Sequence, residues 1–359
     1  MNHTAAPENS NYQRWVVFLM ICIVYFFVYF HRVSTSVIAA DLLAAFQTNA
    51  TALGIMSSMY FYLYAFEQPL VGYFTDKIGP RRVIAYWSIA AAAGCMLFGI
   101  ATDIGWATAA RALIGIGVIT LALAFATLFF TRDHQTAPDE VRDKPALTVG
   151  AGSNAKPNAF RVLVSGQFWI VAAIFFGIYG TLITLQGLWA TPFLMSVLGV
   201  ERLFASKLNM LIPIGVIFGA PFIGWLLNRF SLDKRKTLIV ILAIYTLTWV
   251  AIIQGTPDAM RLSVIFVVMG FVGGGFISTL WGIVRDTTPP ELMGLTSGLL
   301  NSAPFIGVAV FQVATGAILD RAGMTNGLYP AIGFHNAFLA CLAGVILCLA
   351  LSFLIRKPA

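Results

Sequence analysis

Apolar runs of about 20 residues, the length that spans a bilayer as a helix, recur along the whole 359-residue chain. Nothing else in the sequence restricts the fold as much. Such a chain folds as a polytopic helical membrane protein. Composition agrees, because only 10% of the residues are charged and a soluble domain carries about a quarter. The pattern predicts ten spans, at 15–40, 53–75, 83–102, 105–131, 166–190, 206–228, 237–255, 261–284, 292–318 and 331–355. The run opening near residue 15 reads as a retained first span, not a signal peptide. The segment 132–165 differs. Pro138, Pro145, Pro157 and mixed charge mark it as a linker between an N-terminal bundle (1–131) and a C-terminal bundle (166–359).

The net charge of +7 is not a nucleic-acid signal. With both termini cytoplasmic, 16 of the 22 Lys and Arg residues fall on the cytoplasmic side. That asymmetry is the positive-inside rule. Cys22, Cys95, Cys341 and Cys348 lie in apolar stretches and are expected as small core residues, with no disulfide framework.

The chain also repeats itself. Pro69-x-x-Gly72-x-x-x-Asp76-Lys77 is echoed by Pro221-x-x-Gly224-x-x-x-Asn228-Arg229. Two related halves suggest a transporter with its substrate path between them. The halves are unequal, since four spans follow the element in the second half and two in the first. Arg111-x-x-x-Gly115-x-Gly117 has the spacing of Met269-x-x-x-Gly273-x-Gly275, where a full span continues. In the first half Gly117 runs straight toward the linker. This predicts a missing helical pair with its junction near Val118.

Three segments resemble the major facilitator superfamily. The turn Gly72–Arg82 is similar to its signature loop between helices two and three. Arg111 to Gly117 resembles its fourth-helix motif. The basic loop Asn228–Lys236 resembles the degenerate copy between helices eight and nine. The resemblance implies an all-α two-bundle fold with about ten helices (four plus six) in place of twelve. It implies a multi-pass protein of the plasma membrane, the inner membrane in a bacterium. Within the family, Tyr29-Phe-His-Arg32 resembles the sugar-phosphate and organic-anion permease branch, where an arginine at this place binds an anionic substrate. The branch's helix-seven arginine has no counterpart between Tyr179 and Trp189. That argues for a singly charged or zwitterionic ligand over a doubly charged phosphate ester.

An intramembrane charge costs several kcal/mol and normally faces a cavity or a partner, on the order of 3 kcal/mol at a helix centre. Arg32, Glu67 and Arg111 are such charges. Tyr25, Tyr29, Arg32 and Ser36 fall on one stripe of the first helix, suited to a carboxylate. The alternative is that Arg32 snorkels or pairs with Asp41. Glu67 is a candidate proton carrier, or else a structural partner for a basic residue. Arg111 either tunes a proton site, as in the family, or is a helix-start arginine. Tyr64, Gln186, Trp189, Trp281 and Asn301 are further substrate-binding candidates, with helix-packing polarity as the alternative. Gly72, Asp76, Lys77, Gly79, Arg81 and Arg82 read as a gating motif or a purely topological basic loop.

The sequence holds no nucleotide-binding loop, metal-ligand cluster or nucleophile–base pair at useful spacing, so no cofactor, metal or enzymatic activity is expected. The expected partners are a small, anionic molecule and the lipid bilayer, with no nucleic acid, in a monomer. The leading expectation is a secondary active transporter. The other is a ligand sensor or a transport-inactive shortened relative.

Overall fold

A computed structural model describes residues 29–78, 80–116, 162–255, 258–289, 292–325 and 327–355. Among the described residues there are ten helices. The first half contributes α1 (29–45), α2 (Ala50–Ile78), α3 (Pro80–Gly99) and α4 (Ile104–Ile116). The second contributes α5 (Gly166–Leu198), α6 (Arg202–Arg229), α7 (Lys234–Gln254), α8 (Ala259–Thr287), α9 (Met293–Ala322) and α10 (Ala331–Ser352). All six of the second half are long and apolar enough to cross a membrane.

Helix starts follow from short acidic and amide side chains that satisfy free backbone N–H groups. Asn49 accepts from Ala52, and Asp103 from Gly105 and Trp106. Asp233 caps α7 through Arg235 and Lys236, and Asp258 caps α8 through Arg261. Gly199 ends α5 at φ 62°, a left-handed position that glycine adopts without a Cβ clash. Several helices run past their apolar cores. The Glu201–Lys207 turn, for example, adds an amphipathic start to α6.

Lipid tails are as apolar as leucine, so these helices associate through close packing. On α6, a Cβ at Gly219 would lie 1.9 Å from the Phe271 carbonyl oxygen of α8. One at Gly270 of α8 would lie 2.0 Å from that of Ile212. The two backbones therefore touch. α9 is the central strut and packs on α2, α5 and α10. Its Gly316 admits the Ala50 carbonyl of α2, and its Gly307 admits the Phe176 carbonyl of α5. The first half thus joins the second mainly along α2–α9.

One expectation is corrected. Cys341 and Cys348 are buried, but Cys95 is exposed. Its neighbour Met96 is exposed too, and the Cys95 thiol lies 3.9 Å from the His31 ring of α1. A lipid-facing surface and a protein core have the same apolar composition, so the sequence of α3 does not separate them.

Candidate functional site

Arg32 is 6% exposed and lies where α1 meets α2, α5 and α9. Its Nε donates to the Tyr60 hydroxyl at 3.3 Å, and an Nη to the Tyr179 hydroxyl at 3.4 Å. The guanidinium carbon sits 5.1 Å from the Tyr64 ring centre and 5.3 Å from that of Phe305. Phenols and ring faces stabilise a cation. No carboxylate is among its described partners. Asp41 pairs instead with Arg202 at 2.5 Å, which removes the Arg32–Asp41 alternative.

Arg111, 3% exposed, stands on the other side of Tyr60. It donates to the His31 carbonyl at 3.1 Å and lies 5.3 Å from the Tyr60 ring centre. Its Nε and Nη2 are buried with no hydrogen-bond partner. Gly115, one turn on, lets α4 reach the Tyr60 backbone; a Cβ there would be 2.5 Å from its oxygen. One tyrosine therefore bridges two buried guanidinium groups.

A second polar group lies beside the first. Tyr29 accepts from Gln186 at 2.7 Å, and Ser36 bonds to Thr191 at 3.2 Å. Asn209 donates to the Gln186 carbonyl at 2.8 Å. That carbonyl belongs to a π turn, Leu185–Trp189, inside α5. Wide turns of this kind interrupt the usual ladder and favour functional sites. The side-chain amide oxygens of Gln186 and Asn209 are buried, with no hydrogen-bond partner among the described residues.

Glu67 is 4% exposed; one oxygen accepts from Trp87 at 3.2 Å and the other has no partner. The next residue of α2, Gln68, accepts from Asn301 of α9 at 3.0 Å. Trp189 donates to Thr315 at 2.8 Å, buried between α5 and α9 of the second half. Trp281 lies elsewhere, against Phe175. Tyr25 and Gly79 are outside the described residues, as are the side chains of Gly72, Asp76, Lys77 and Arg81; Arg82 is exposed. Near the basic loop of the second half, a cavity of ≈ 490 Å³ is bordered by Asn228, Asp233, Lys234 and Asp286.

The sequence singled out Arg32, Tyr29 and Ser36, which the structure places at this junction, while Tyr25 lies outside the described residues. Sequence reasoning missed Phe305 and Trp87 as partners, whose contacts join distant segments. Tyr179 and Gln186, seven residues apart on one helix face, carried a usable signal.

Long apolar helices packed through glycines around a buried polar centre define a multi-pass helical membrane fold. The sequence profile of the Major Facilitator Superfamily matches residues 21–137 and 114–312, and the chain belongs to that family. The two matched segments overlap at 114–137, the stretch that contains the expected junction at Val118. This is a family of transporters, not enzymes. The human choline/ethanolamine transporter FLVCR2 is 28% identical over 222 residues, covering 59% of this chain and 40% of its own. The probable galactarate/D-glucarate transporter GudP of Escherichia coli (strain K12) is 32% identical over 136 residues, covering 37% and 30%. GarP of the same strain, also a probable galactarate/D-glucarate transporter, is 22% identical over 293 residues, covering 79% and 62%. The chain spans less than two thirds of each of these relatives. Among solved structures, a bacterial homologue of the human lysosomal transporter Spinster superposes with a TM-score of 0.70 at 15% identity, covering 96% of this chain and 97% of that one. The nucleoside transporter NupG superposes with a TM-score of 0.67 at 11% identity, covering 94% and 98%.

Proposed function

We propose that this chain is a secondary transporter that carries a small organic anion between its two helical bundles by alternating access, with Arg32 as the anion-binding group. One observation carries the reading: a buried guanidinium at the junction of the halves, supported by phenols and rings but, among the described residues, by no carboxylate. Leaving a buried charge unpaired is costly. An entering carboxylate offsets that cost with a forked, charge-assisted contact. Tyr29, Ser36, Tyr64, Gln186 and Asn301 border the same junction and offer hydroxyls and amides for the rest of the ligand. Arg111, whose Nε and Nη2 have no partner among the described residues, adds a second positive charge close by. Relatives named for galactarate, D-glucarate and sulfoacetate support an anion. The choline/ethanolamine relative suggests a cation held by aromatic rings. Here the Tyr64 and Phe305 rings already face Arg32, which disfavours a cation.

The test is uptake by proteoliposomes of three probes: D-glucarate, sulfoacetate and choline. Uptake of either anion, saturable and absent with choline, supports the reading. Ligand binding without flux favours the sensor, and neither favours the inactive relative.

We assign Glu67 as the group that carries a coupled proton, because it is buried and half of its carboxylate is unpartnered. Glu67→Gln keeps the shape and removes the titration. Exchange of anion down its own gradient is expected to persist, while a pH gradient stops driving accumulation. Undiminished pH-driven accumulation in that variant would remove Glu67 from the mechanism.

A further inference from the structure

The end of the molecule that carries Asp41, Ala50 and Asp320 is fastened across the halves by a carboxylate. Asp320, in the last turn of α9, accepts from the backbone N–H of Ala50 and of Thr51, each at 2.8 Å. It also accepts from the Thr51 hydroxyl. Tyr329, 4% exposed, donates to Asp320 at 2.7 Å and accepts from Ala50 at 2.8 Å. These five bonds converge on the N-terminus of α2, where free N–H groups and the helix dipole attract an anion. Burial and the adjoining carboxylate hold the Tyr329 phenol above its usual range, so it stays a donor.

Toward Arg32, the contact between halves is polar and incompletely satisfied. Ser57 of α2 and Gln312 of α9 are fully buried. The Ser57 hydroxyl and both amide atoms of Gln312 have no partner. Gly54 brings α2 against the Gln312 backbone, a Cβ there lying 2.6 Å from its oxygen. Buried polar groups that lack a protein partner are better satisfied when an interface opens to water.

We propose that Asp320, held by Tyr329, is the lock of this end: its carboxylate caps α2 from the opposite half, and its release lets the halves part and wets the path to Arg32. The proposal rests on the alternating-access reading, but its test involves no ligand.

The full chain, with its four cysteines replaced by alanine, is labelled at Ala45→Cys and Met324→Cys. Both sites are exposed and lie on opposite sides of the lock. Distances are read by pulsed electron paramagnetic resonance in lipid nanodiscs. The unmodified lock is expected to give one short, narrow distribution. Asp320→Ala is expected to move it to longer distances and broaden it, with Asp320→Asn and Tyr329→Phe in between. An unchanged distribution in Asp320→Ala, even with a lower melting temperature, would make Asp320 a mere helix cap and overturn the lock. Should Asp320→Ala fail to fold, Tyr329→Phe decides in the same way. Failed anion uptake with an opening lock would sink the transport reading alone, and normal uptake with an unmoved distance would sink the lock alone.

The nearby Arg202–Asp41 pair is a weaker tie. Its side chains are 40% and 52% exposed. Asp41→Asn is expected to leave the melting temperature nearly unchanged, checked by thermal unfolding in the same nanodiscs.

Discussion

Replacing Arg32 by glutamine is expected to abolish anion binding while leaving the protein as stable as before, or more stable. The two halves of that expectation have one cause. Without ligand, Arg32 is a buried cation whose partners are two phenols and two rings. Removing it discards a desolvation cost that no described residue of opposite charge offsets. With ligand, the guanidinium supplies the charge-assisted contact. Truncating one partner of a buried charge pair costs about 2–5 kcal/mol, or roughly 30- to 4,000-fold in affinity. The measurement is thermal unfolding with and without the probe anions. A ligand at 100 times its dissociation constant stabilises by about 2.7 kcal/mol, so wild type shifts and the variant does not. A structural arginine gives the opposite pattern, with a destabilised variant that still responds to ligand.

The second large effect lies far from the site. Gly219→Ala is expected to destabilise the second half by about 3 kcal/mol, the upper end of what overpacking costs. A Cβ at Gly219 would be 1.9 Å from the Phe271 oxygen and 2.7 Å from its Cα. Both are backbone atoms, so no side chain can move aside and α6 must retreat from α8. Gly270→Ala meets the Ile212 backbone in the same way and should not add fully to Gly219→Ala, because both open one interface. Gly224, on the same helix, is the control. Its nearest neighbour would be the Ser278 hydroxyl at 4.0 Å. Gly224→Ala should be neutral or stabilising by up to about 1 kcal/mol, since alanine favours helix. Equal melting temperatures for Gly219→Ala and Gly224→Ala would refute the packing argument.

The number and order of the spans were legible because each announces itself within some 20 residues. Arg32 was legible too, since a charge inside an apolar run is conspicuous. Its surroundings were not. Tyr60, Tyr179 and Phe305 reach it from three helices, and no local pattern says which aromatic residue of a span faces which neighbour. Asp320 is the plainest case. In sequence it is one acid near a helix end. It becomes a fastening only because the fold places it on the N-terminus of a helix 270 residues earlier. Cys95 failed for a different reason, as apolar context alone cannot tell lipid from core.

The π turn of α5 has a mechanical meaning. It divides the helix into two rods, Gly166–Thr184 and Ala190–Leu198. Tyr179, bonded to Arg32, lies on the first, and Thr191, bonded to Ser36, on the second. Each α-helical residue advances the rotation by about 100°, so absorbing one residue of the wide turn would swivel one rod on the other by that much. Such a swivel would carry Thr191 away from Ser36 of α1 while Tyr179 stayed on Arg32.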